Sequence, residues 1–496
     1  MITPAASVLL ARGPGSREIL AILRGAQLRF FGGFWAFPGG KLASEDENPE
    51  ALDPTLHARR VAACRELFEE TGILIARHPD GAFPARSADL DACRQALLDG
   101  KLAFSRMLAE RRLCIRDDDF HLIGEITTPA FAAVRYATTF FTAQLPGNQH
   151  ADIWPGELER GEWVAAADML ARWRRGEVWL TPPTAMTLQT LGDHPIEDAP
   201  ALLAPLLERL AHGAEHPIFF APCVRMLPLK TAALAPSTHT NAYFVGNGPR
   251  YLLDPGPDEP AEQARLCDVI DEDVKTGQTL TAVILSHHHR DHVGAAALCA
   301  ERYRLPIWAH EATARKLQDR VVIARQLRHG DRVDLGPCPA DGRPWSLDVV
   351  HTPGHASGHL AFADSHYGLL FAGDMVSMLS SMVIAPPDGN LSLYLQSLRL
   401  LRELPCRMLL PSHGNVSTNP AQVLDDAIEH RAKRERQLLD TLAEGPALIA
   451  ELTERMYRGT PEPLMEFARA QVLAGILKLQ EEGKARPVDQ DRWQLA

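Results

Sequence analysis

An apolar run that empties directly into a crowd of histidines constrains this chain more than any other feature. Residues 281–294 read TAVILSHHHRDHVG. Ala282–Leu285 is apolar without alternation, the pattern of a strand covered on both faces. Four ligand-type groups then follow within six residues: His287, His289, Asp291 and His292. His287 and His289 are two apart, so on an extended backbone their side chains share a face. Imidazoles and carboxylates packed this densely behind a buried strand gain little stability by themselves, because each needs a partner once out of water. A cation supplies those partners. Neutral imidazole and carboxylate suit zinc, manganese or iron in a hydrolytic centre. Three more clusters lie downstream. HTPGHASGH at 351–359 has a Pro353-Gly354 turn presenting His355; FAGD ends a strand at Asp374; PSHG carries His413.

The H-x-H-x-D-H loop and its three satellites resemble the metallo-β-lactamase fold superfamily, which implies an αββα sandwich. By that resemblance His287, His289 and His355 bind one metal, and Asp291, His292 and His413 bind a second. Asp374 bridges the two. Two zinc (or manganese or iron) ions at ~3.5–4 Å can hold a hydroxide between them, and Asp291 orients it as a catalytic residue. No cysteine stands at a ligand position, unlike the antibiotic-degrading branch, so β-lactam hydrolysis is not expected. His351 and His359 fall off the ligand positions and read as supports of the loop. TNAYFVG (240–246), YLLDPGP (251–257) and the tail narrow the resemblance to the lactamase-B-like subfamily with an appended winged helix, over about residues 224–496. That subfamily includes proteins that cut single-stranded RNA. Arg431, Lys433, Arg434 and Arg436 would be the basic surface, but Asp425, Asp426, Glu429 and Glu435 share the segment, which reads as a solvated face.

A second metal signal lies near the start. In AACRELFEETGI, Glu66, Glu69 and Glu70 occupy i, i+3 and i+4 of a helix. Like charges at this spacing weaken a helix by roughly 0.2–0.5 kcal/mol per pair. Bound Mg²⁺ or Mn²⁺ removes that repulsion. Gly72 is placed to end the helix in a left-handed cap. Arg65, Glu66, Leu67, Glu69, Glu70, Gly72 and Ile73 resemble the R-E-U-x-E-E-x-G-U core of the Nudix box, preceded by FFGGFWAFPGGKL (30–42). The resemblance implies an α/β/α sandwich and hydrolysis of a substituted diphosphate, with Glu69 among the catalytic residues. The interval from Gly40 to Arg65 is longer than usual, and Glu45, Glu47 and Glu50 are candidates for the displaced upstream acid. GGFWAFPGG, ITTPAFAAVRYATTFF, GEWV and LTPPT are similar to a long-insert branch that includes the animal coenzyme A diphosphatases. Arg135 either pairs with a phosphate or packs. The sequence singles out no general base, Glu157, Glu159 and Glu162 being merely nearby acids expected in a loop.

The 496 residues suggest about three domains. A Nudix-like domain is expected at 1–212, a linker at 213–223, a metallo-β-lactamase-fold domain at 224–420 and a winged-helix-like domain at 421–496. Together they make a multidomain α/β chain. Strands are expected at Ser7–Leu10, Ile19–Leu23 and Thr138–Ala143, and helices at Leu56–Glu70 and Ala201–Leu210. Leu473, Ile476 and Leu477 mark a later helix before the hairpin-like GKARPVDQDRWQL. A net charge of −12 argues against a chain coated for nucleic acid. No run reaches the ~20 apolar residues of a membrane helix, MITPAASVLLAR lacks a basic lead-in, and the eight cysteines form no C-x-x-C. A cytoplasmic, reduced protein is expected, acting on a small molecule such as a coenzyme A or nucleotide derivative. The function expected is a bifunctional metal-dependent hydrolase: the first domain cleaves a diphosphate, the second an ester, thioester or phosphodiester. The alternatives are an RNA endonuclease in the second half, or a metallohydrolase regulated by a ligand-sensing Nudix module.

Overall fold

Alternation along one strand builds the first unit. In the computed structural model, Ile2–Ala11 turns Ala6, Val8 and Leu10 into one apolar core and Leu9 and Ala11 into another. Period-two side-chain direction therefore divides the helices between two faces. The structure describes residues 2–28, 31–48, 50–132, 134–489 and 491–496. Met1, Phe30 of the aromatic-glycine stretch, Ala133 of ITTPAFAAV and Gln490 of the tail lie outside the described residues.

Two compact units divide the chain, Met1–Pro222 and Cys223–Ala496. The first is a sheet between helices. Its strands run His121–Thr127, Arg135–Gln144, Ile2–Ala11, Glu18–Arg24, Phe34–Ala36 and Trp179–Leu180, with Gly39–Lys41 and Leu158–Ala165 paired alongside. Helices Pro54–Thr71, Ala88–Leu98 and Phe104–Glu110 cover one face; Ala166–Arg174, Pro182–Leu191 and Ala199–Ala211 cover the other. Arg135 opens a strand, and its Nε donates to the Thr128 carbonyl (2.9 Å). The expected linker needs correcting. Within 213–223, Ile218–Ala221 is a strand. Phe220 meets Phe34 edge-on at 6.1 Å, and its carbonyl accepts from Trp173 Nε1 (3.2 Å). The apolar IFFA run buries itself rather than swinging free.

The second unit stacks two sheets. One contains Ile323–Gln326, Ile307–Ala309, Ala282–Ile284, Tyr251–Leu253, His239–Val245 and Val224–Lys230 in that order. The other runs Arg332–Pro337, Pro344–His351, Leu360–Asp364, Leu369–Gly373 and Met408–Pro411. Outward residues such as Ala242 and Phe244 pack under helices Pro260–Lys275 and Ala296–Tyr303. Val350, Ala361 and Leu370 pack under Leu391–Arg402. Between the sheets, Tyr243 lies edge-on to Phe371 at 5.2 Å. This is the αββα order.

The boundary expected at 420/421 cuts at the head of a shared helix. Pro420–Ala443 gives Leu424 to the core under the second sheet, then Leu438 and Leu442 to the core of the tail. The tail adds helices Ile449–Met456 and Glu462–Glu481 and a three-stranded sheet of Ala447–Leu448, Arg492–Leu495 and Ala485–Pro487. Among the described residues no helix is long and apolar enough to cross a membrane.

Candidate metal centre

Strand Ala282–Ile284 delivers Ser286–His289 to one end of the sandwich, and the turn Arg290–Val293 places Asp291 and His292 beside them. His355 arrives on the Pro353-Gly354 turn, Asp374 closes strand Leu369–Gly373, and His413 follows strand Met408–Pro411. These seven residues form two groups. In the first, His287, His289, His355 and Asp374 each offer a donor atom within 4.8 Å of the others; Asp291, His292 and His413 form the second on the same criterion. His289 Nδ1 is 2.9 Å from both His287 Nε2 and His355 Nε2. Asp374 faces both groups. Its Oδ2 is 3.3 Å from His355 Nε2, while Oδ1 is 3.3 Å from His413 Nε2 and 3.4 Å from His292 Nε2. Asp291 Oδ2 lies 3.5 Å from His413 Nε2.

The donor set fits a pair of cations. His292 Nε2 and Asp374 Oδ1 are buried without a hydrogen-bond partner, a costly state for polar atoms unless a ligand satisfies them. Burial, with repulsion from neighbouring imidazoles, holds His287 well below its ordinary pKa and His289 down to about 3, so both present neutral rings. Burial is the largest influence and opposes charge on His292 and His413 as well, yet the carboxylates together, Asp374 and Asp291 for both and Asp254 also for His292, outweigh it and raise both. Burial alone would raise Asp374; His292 and His413 instead hold its carboxyl well below the usual range. This carboxylate calls for positive charge on its second-group side, and a metal provides it without a proton.

The far nitrogens of these rings are anchored. Asp254 accepts from Ser286 N (2.7 Å), Ser286 Oγ (2.6 Å) and His292 Nδ1 (2.9 Å), and Ser286 Oγ meets His287 Nδ1 (2.9 Å). His355 Nδ1 donates to the Val383 carbonyl (2.8 Å) and His413 Nδ1 to the His239 carbonyl (2.9 Å). Such contacts fix ring orientation and leave the opposite nitrogen free to ligate. His359 is buried, and its Nε2 accepts the Asp374 backbone N–H (3.0 Å) while Nδ1 donates to Thr352 Oγ1 (2.7 Å). It supports the bridge, as expected of a histidine off the ligand positions. His351 likewise reaches the Ser357 carbonyl (3.0 Å) and stacks on His310 at 4.1 Å. Gly373 is required here: at φ 53°, an added Cβ would stand 2.5 Å from His359 Nε2. TNAYF serves His413, since Asn241 Nδ2 donates to the carbonyls of Pro411 and Gly414 (both 2.9 Å) and Tyr243 OH to Pro411 (2.7 Å).

Comparison with known proteins follows the same geography. The Metallo-beta-lactamase superfamily pattern matches residues 236–413 and the Beta-lactamase associated winged helix domain pattern residues 449–493. "Lactamase-like protein vrtG" of Penicillium aethiopicum is 30% identical over 262 residues, spanning 49% of this chain and 77% of that protein. This chain belongs to the metallo-beta-lactamase superfamily. The superfamily makes it a metal-dependent hydrolase. "Beta-lactamase-like protein 2 homolog" of Drosophila melanogaster is 29% identical over 266 residues, covering 50% of this chain and 84% of that protein. Each of these relatives accounts for about half of the superfamily member described here. Among solved structures, a metallo-beta-lactamase family protein from Thermus thermophilus aligns at 24% identity and TM-score 0.46 over 55% of this chain and 99% of its own. A NUDIX hydrolase from Alicyclobacillus acidocaldarius aligns at 29% identity and TM-score 0.37 over 40% of this chain and 96% of its own.

The superfamily member's first unit holds a second acidic site. Asp53 caps helix Pro54–Thr71 through Leu56 N (3.0 Å), and Gly72 ends it at φ 74° as expected. The three glutamates have two kinds of partner. Arg65 Nη1 donates to Glu66 (2.9 Å) and Glu69 (3.4 Å), while Glu70 accepts from Gly39 N (2.8 Å). A guanidinium thus lies where a cation was expected between Glu66 and Glu69. Burial and the neighbouring Glu69 push Glu66 up to about 7 against the pull of Arg65; burial also raises Glu69 and Glu70. Gly40 has no room for a side chain, because its Cβ would fall 2.4 Å from the Glu66 carboxyl. Of the three acids considered for the insert, Glu45 is near enough to help raise Glu69. Glu45 accepts from Phe104 N (2.6 Å) at a helix start, and Glu47 and Glu50 are exposed. Asp46, overlooked in the sequence, is buried and grips Arg65 with both oxygens (3.0 Å each). Of the acids expected in a loop, Glu157 is near enough to raise Glu70, whereas Glu159 and Glu162 lie in the strand Leu158–Ala165, where Glu159 accepts from Ala26 N (3.0 Å) and Glu162 pairs with Arg172.

Proposed function

We propose that this chain is a bifunctional hydrolase. Its second unit cleaves an ester, thioester or phosphodiester, and its first unit, a Nudix-type module, cleaves a nucleotide- or coenzyme A-type diphosphate. The observation that carries the first assignment is the placement of Asp374, with one oxygen in each of two nitrogen-rich donor groups. His287, His289 and His355 would hold one ion and Asp291, His292 and His413 the other, zinc, manganese or iron by the chemistry of the donors. When bound, paired divalent ions polarise the scissile group and acidify the water between them. The chain does the rest. Asp254 and the Val383 and His239 carbonyls fix the rings before substrate arrives. The Asp291 side chain is 17% exposed against 5% for Asp374, so of the two carboxylates it is the one that can meet and orient the attacking water.

For the first unit, the reading rests on Glu66, Glu69 and Glu70 crowded against the strand Gly39–Lys41. Mg²⁺ or Mn²⁺ would displace Arg65 from Glu66 and Glu69, Arg65 remaining tied to Asp46. Acyl-coenzyme A is the substrate class that unites both sites, since it holds a thioester and a diphosphate in one molecule. The eight free thiols support a reducing, cytoplasmic setting. In the basic segment Arg431 is buried against the Met382 carbonyl and Gln471 and Arg434 lies over Tyr457, which leaves Lys433 and Arg436 as its exposed charges. The test is to incubate acyl-coenzyme A with wild type, Asp291→Ala and Glu69→Gln and to separate the products. Thioester cleavage lost only in the first variant and diphosphate cleavage only in the second supports the proposal. Indifference to coenzyme A derivatives together with RNA cleavage would replace it with the nuclease reading. No diphosphate cleavage by the metal-supplied wild type would leave the first unit a ligand-sensing module, and cleavage unaffected by Glu69→Gln would remove Glu69 from the mechanism.

A further inference from the structure

Three unlike ligand groups meet at the opposite end of the five-stranded sheet. The turn between Arg332–Pro337 and Pro344–His351 carries Cys338 and Asp341; the turn between Leu360–Asp364 and Leu369–Gly373 carries His366. The Cys338 thiol, an Asp341 carboxylate oxygen and a His366 ring nitrogen all lie within 4.8 Å of one another. Asp374 follows the far end of Leu369–Gly373, so this cluster is separated from the histidine centre by about 16 Å of strand at ~3.3 Å per residue.

Neither turn needs the Cys338 or His366 side chain for its shape, and Asp341 gives its own turn one oxygen only. Backbone bonds close the first, Cys338 N to the Arg343 carbonyl (2.7 Å) and Gly342 N to the Cys338 carbonyl (2.8 Å). Asp364 organises the second, accepting from His366 N (3.0 Å), Tyr367 N (3.1 Å) and Leu369 N (2.8 Å). The Cys338 thiol is buried and, among the described residues, makes a long contact, 3.8 Å, to the Tyr367 hydroxyl. Asp341 spends Oδ1 on Arg343 N (3.0 Å); the Arg343 side chain, 83% exposed and 3.5 Å away, binds Oδ2 weakly in water. Among the described residues, the His366 ring has no hydrogen-bond partner and rests edge-on to Tyr367 at 4.7 Å. One sulfur, one nitrogen and one oxygen are therefore available, held on two separate turns.

We propose that Cys338, Asp341 and His366 form a third metal site, taking a borderline-soft divalent ion of the zinc or cobalt class with water in the fourth position. Thiolate, imidazole and carboxylate are the zinc donor types, with bonds of ~2.3 Å to sulfur and ~2.0–2.2 Å to nitrogen and oxygen. Tetrahedral bonds of that length put donors ~3.3–3.7 Å apart, a contraction that side-chain rotation of the half-buried His366 and exposed Asp341 supplies. As the sulfur–metal bond forms, the thiol proton leaves to solvent. The bound ion would pin two hairpin turns together and leave the distant hydrolytic centre unchanged.

Cobalt spectroscopy separates this site from the histidine centre, whose donors are all nitrogen and oxygen. The full-length protein is loaded with Co²⁺, and the near-ultraviolet thiolate-to-cobalt band is recorded beside the metal count. Wild type should show the band. Cys338→Ser and His366→Ala should each lose it together with one ion per chain, with hydrolysis of an ester reporter unchanged. Asp341→Asn should weaken cobalt affinity roughly tenfold. Should Cys338→Ser fail to fold, as judged by its melting curve, His366→Ala decides the matter. No thiolate band in cobalt-loaded wild type, a band that survives Cys338→Ser, or an equal metal count in wild type and His366→Ala would overturn the proposal.

Discussion

Replacing Asp254 with Asn isolates the support behind the ligands from the ligands themselves. Asp254 is buried, with Oδ1 taking Ser286 N–H and Oδ2 taking both Ser286 Oγ–H and His292 Nδ1–H. Asn keeps the shape but can present only one oxygen. If that oxygen stays on Ser286 N, the new NH₂ faces His292 Nδ1–H, donor against donor. A hydrogen bond to a charged group, worth about 1.5–3 kcal/mol, is lost and replaced by repulsion. His292 can no longer hold Nε2 toward the Asp374 side without cost. Metal affinity should fall about 10–100-fold, or about 1.4–2.7 kcal/mol. The assay is competition for Zn²⁺ against a chromophoric chelator, with ester hydrolysis read at limiting and excess metal. Hydrolysis should be weak at limiting metal and largely recovered at excess. Wild-type zinc affinity in Asp254→Asn would refute the argument that Asp254 sets the orientation of His292.

Gly373→Ala places a non-glycine residue at φ 53° with its Cβ against His359 Nε2; a loss of about 2–3 kcal/mol in unfolding free energy is expected from chemical denaturation, together with weaker metal binding. His310 carries a pH prediction. Burial, then repulsion from His351, takes its imidazole down to about 4 from 6.5, and its Nδ1 accepts Ala312 N–H at the start of a helix. The neutral ring therefore contributes stability that is complete above pH 6.5 and lost as pH falls through 4. After discounting for solvent screening this amounts to about 1–2 kcal/mol, and His310→Asn, which keeps the cap without the titration, should flatten the stability curve over that window. Asp291→Ala should abolish hydrolysis by the second unit, with a melting temperature close to wild type when metal-free; full activity in that variant would remove Asp291 from the mechanism.

The ligand groups could be read from the sequence because each is announced locally: a strand ending in charge, a Pro-Gly turn before His355, a Gly before Asp374. Period-two and helical patterning likewise marked Ile19–Leu23 and Leu56–Glu70, which lie inside the strand Glu18–Arg24 and the helix Pro54–Thr71. What escaped depends on long-range pairing. Asp254 looks like an ordinary strand end until the fold sets it against Ser286 and His292, 32 and 38 residues on. Asp46 was passed over for its glutamate neighbours because nothing local shows that Arg65 turns back onto it. The segment at 213–223 was misjudged through its polar first half, HGAEHP, although IFFA carries the strand signal. Arg431 and Arg434 were counted as surface charge, but their stems and guanidinium groups fill space between helices, which charge patterning along one helix does not reveal.

Helix Pro420–Ala443, at 24 residues about 36 Å long, acts as a rooted spar. Its base is fixed by Leu424 under the catalytic sheet, and its tip forms part of the terminal module through Leu438 and Leu442. The terminal module is therefore grafted onto living wood rather than strung on a thread. A chain ending at Ala443 would leave two leucines bare on a projecting rod, a sticky edge for neighbouring molecules. Any exchange of tails between relatives must bring along a matching stretch of this helix.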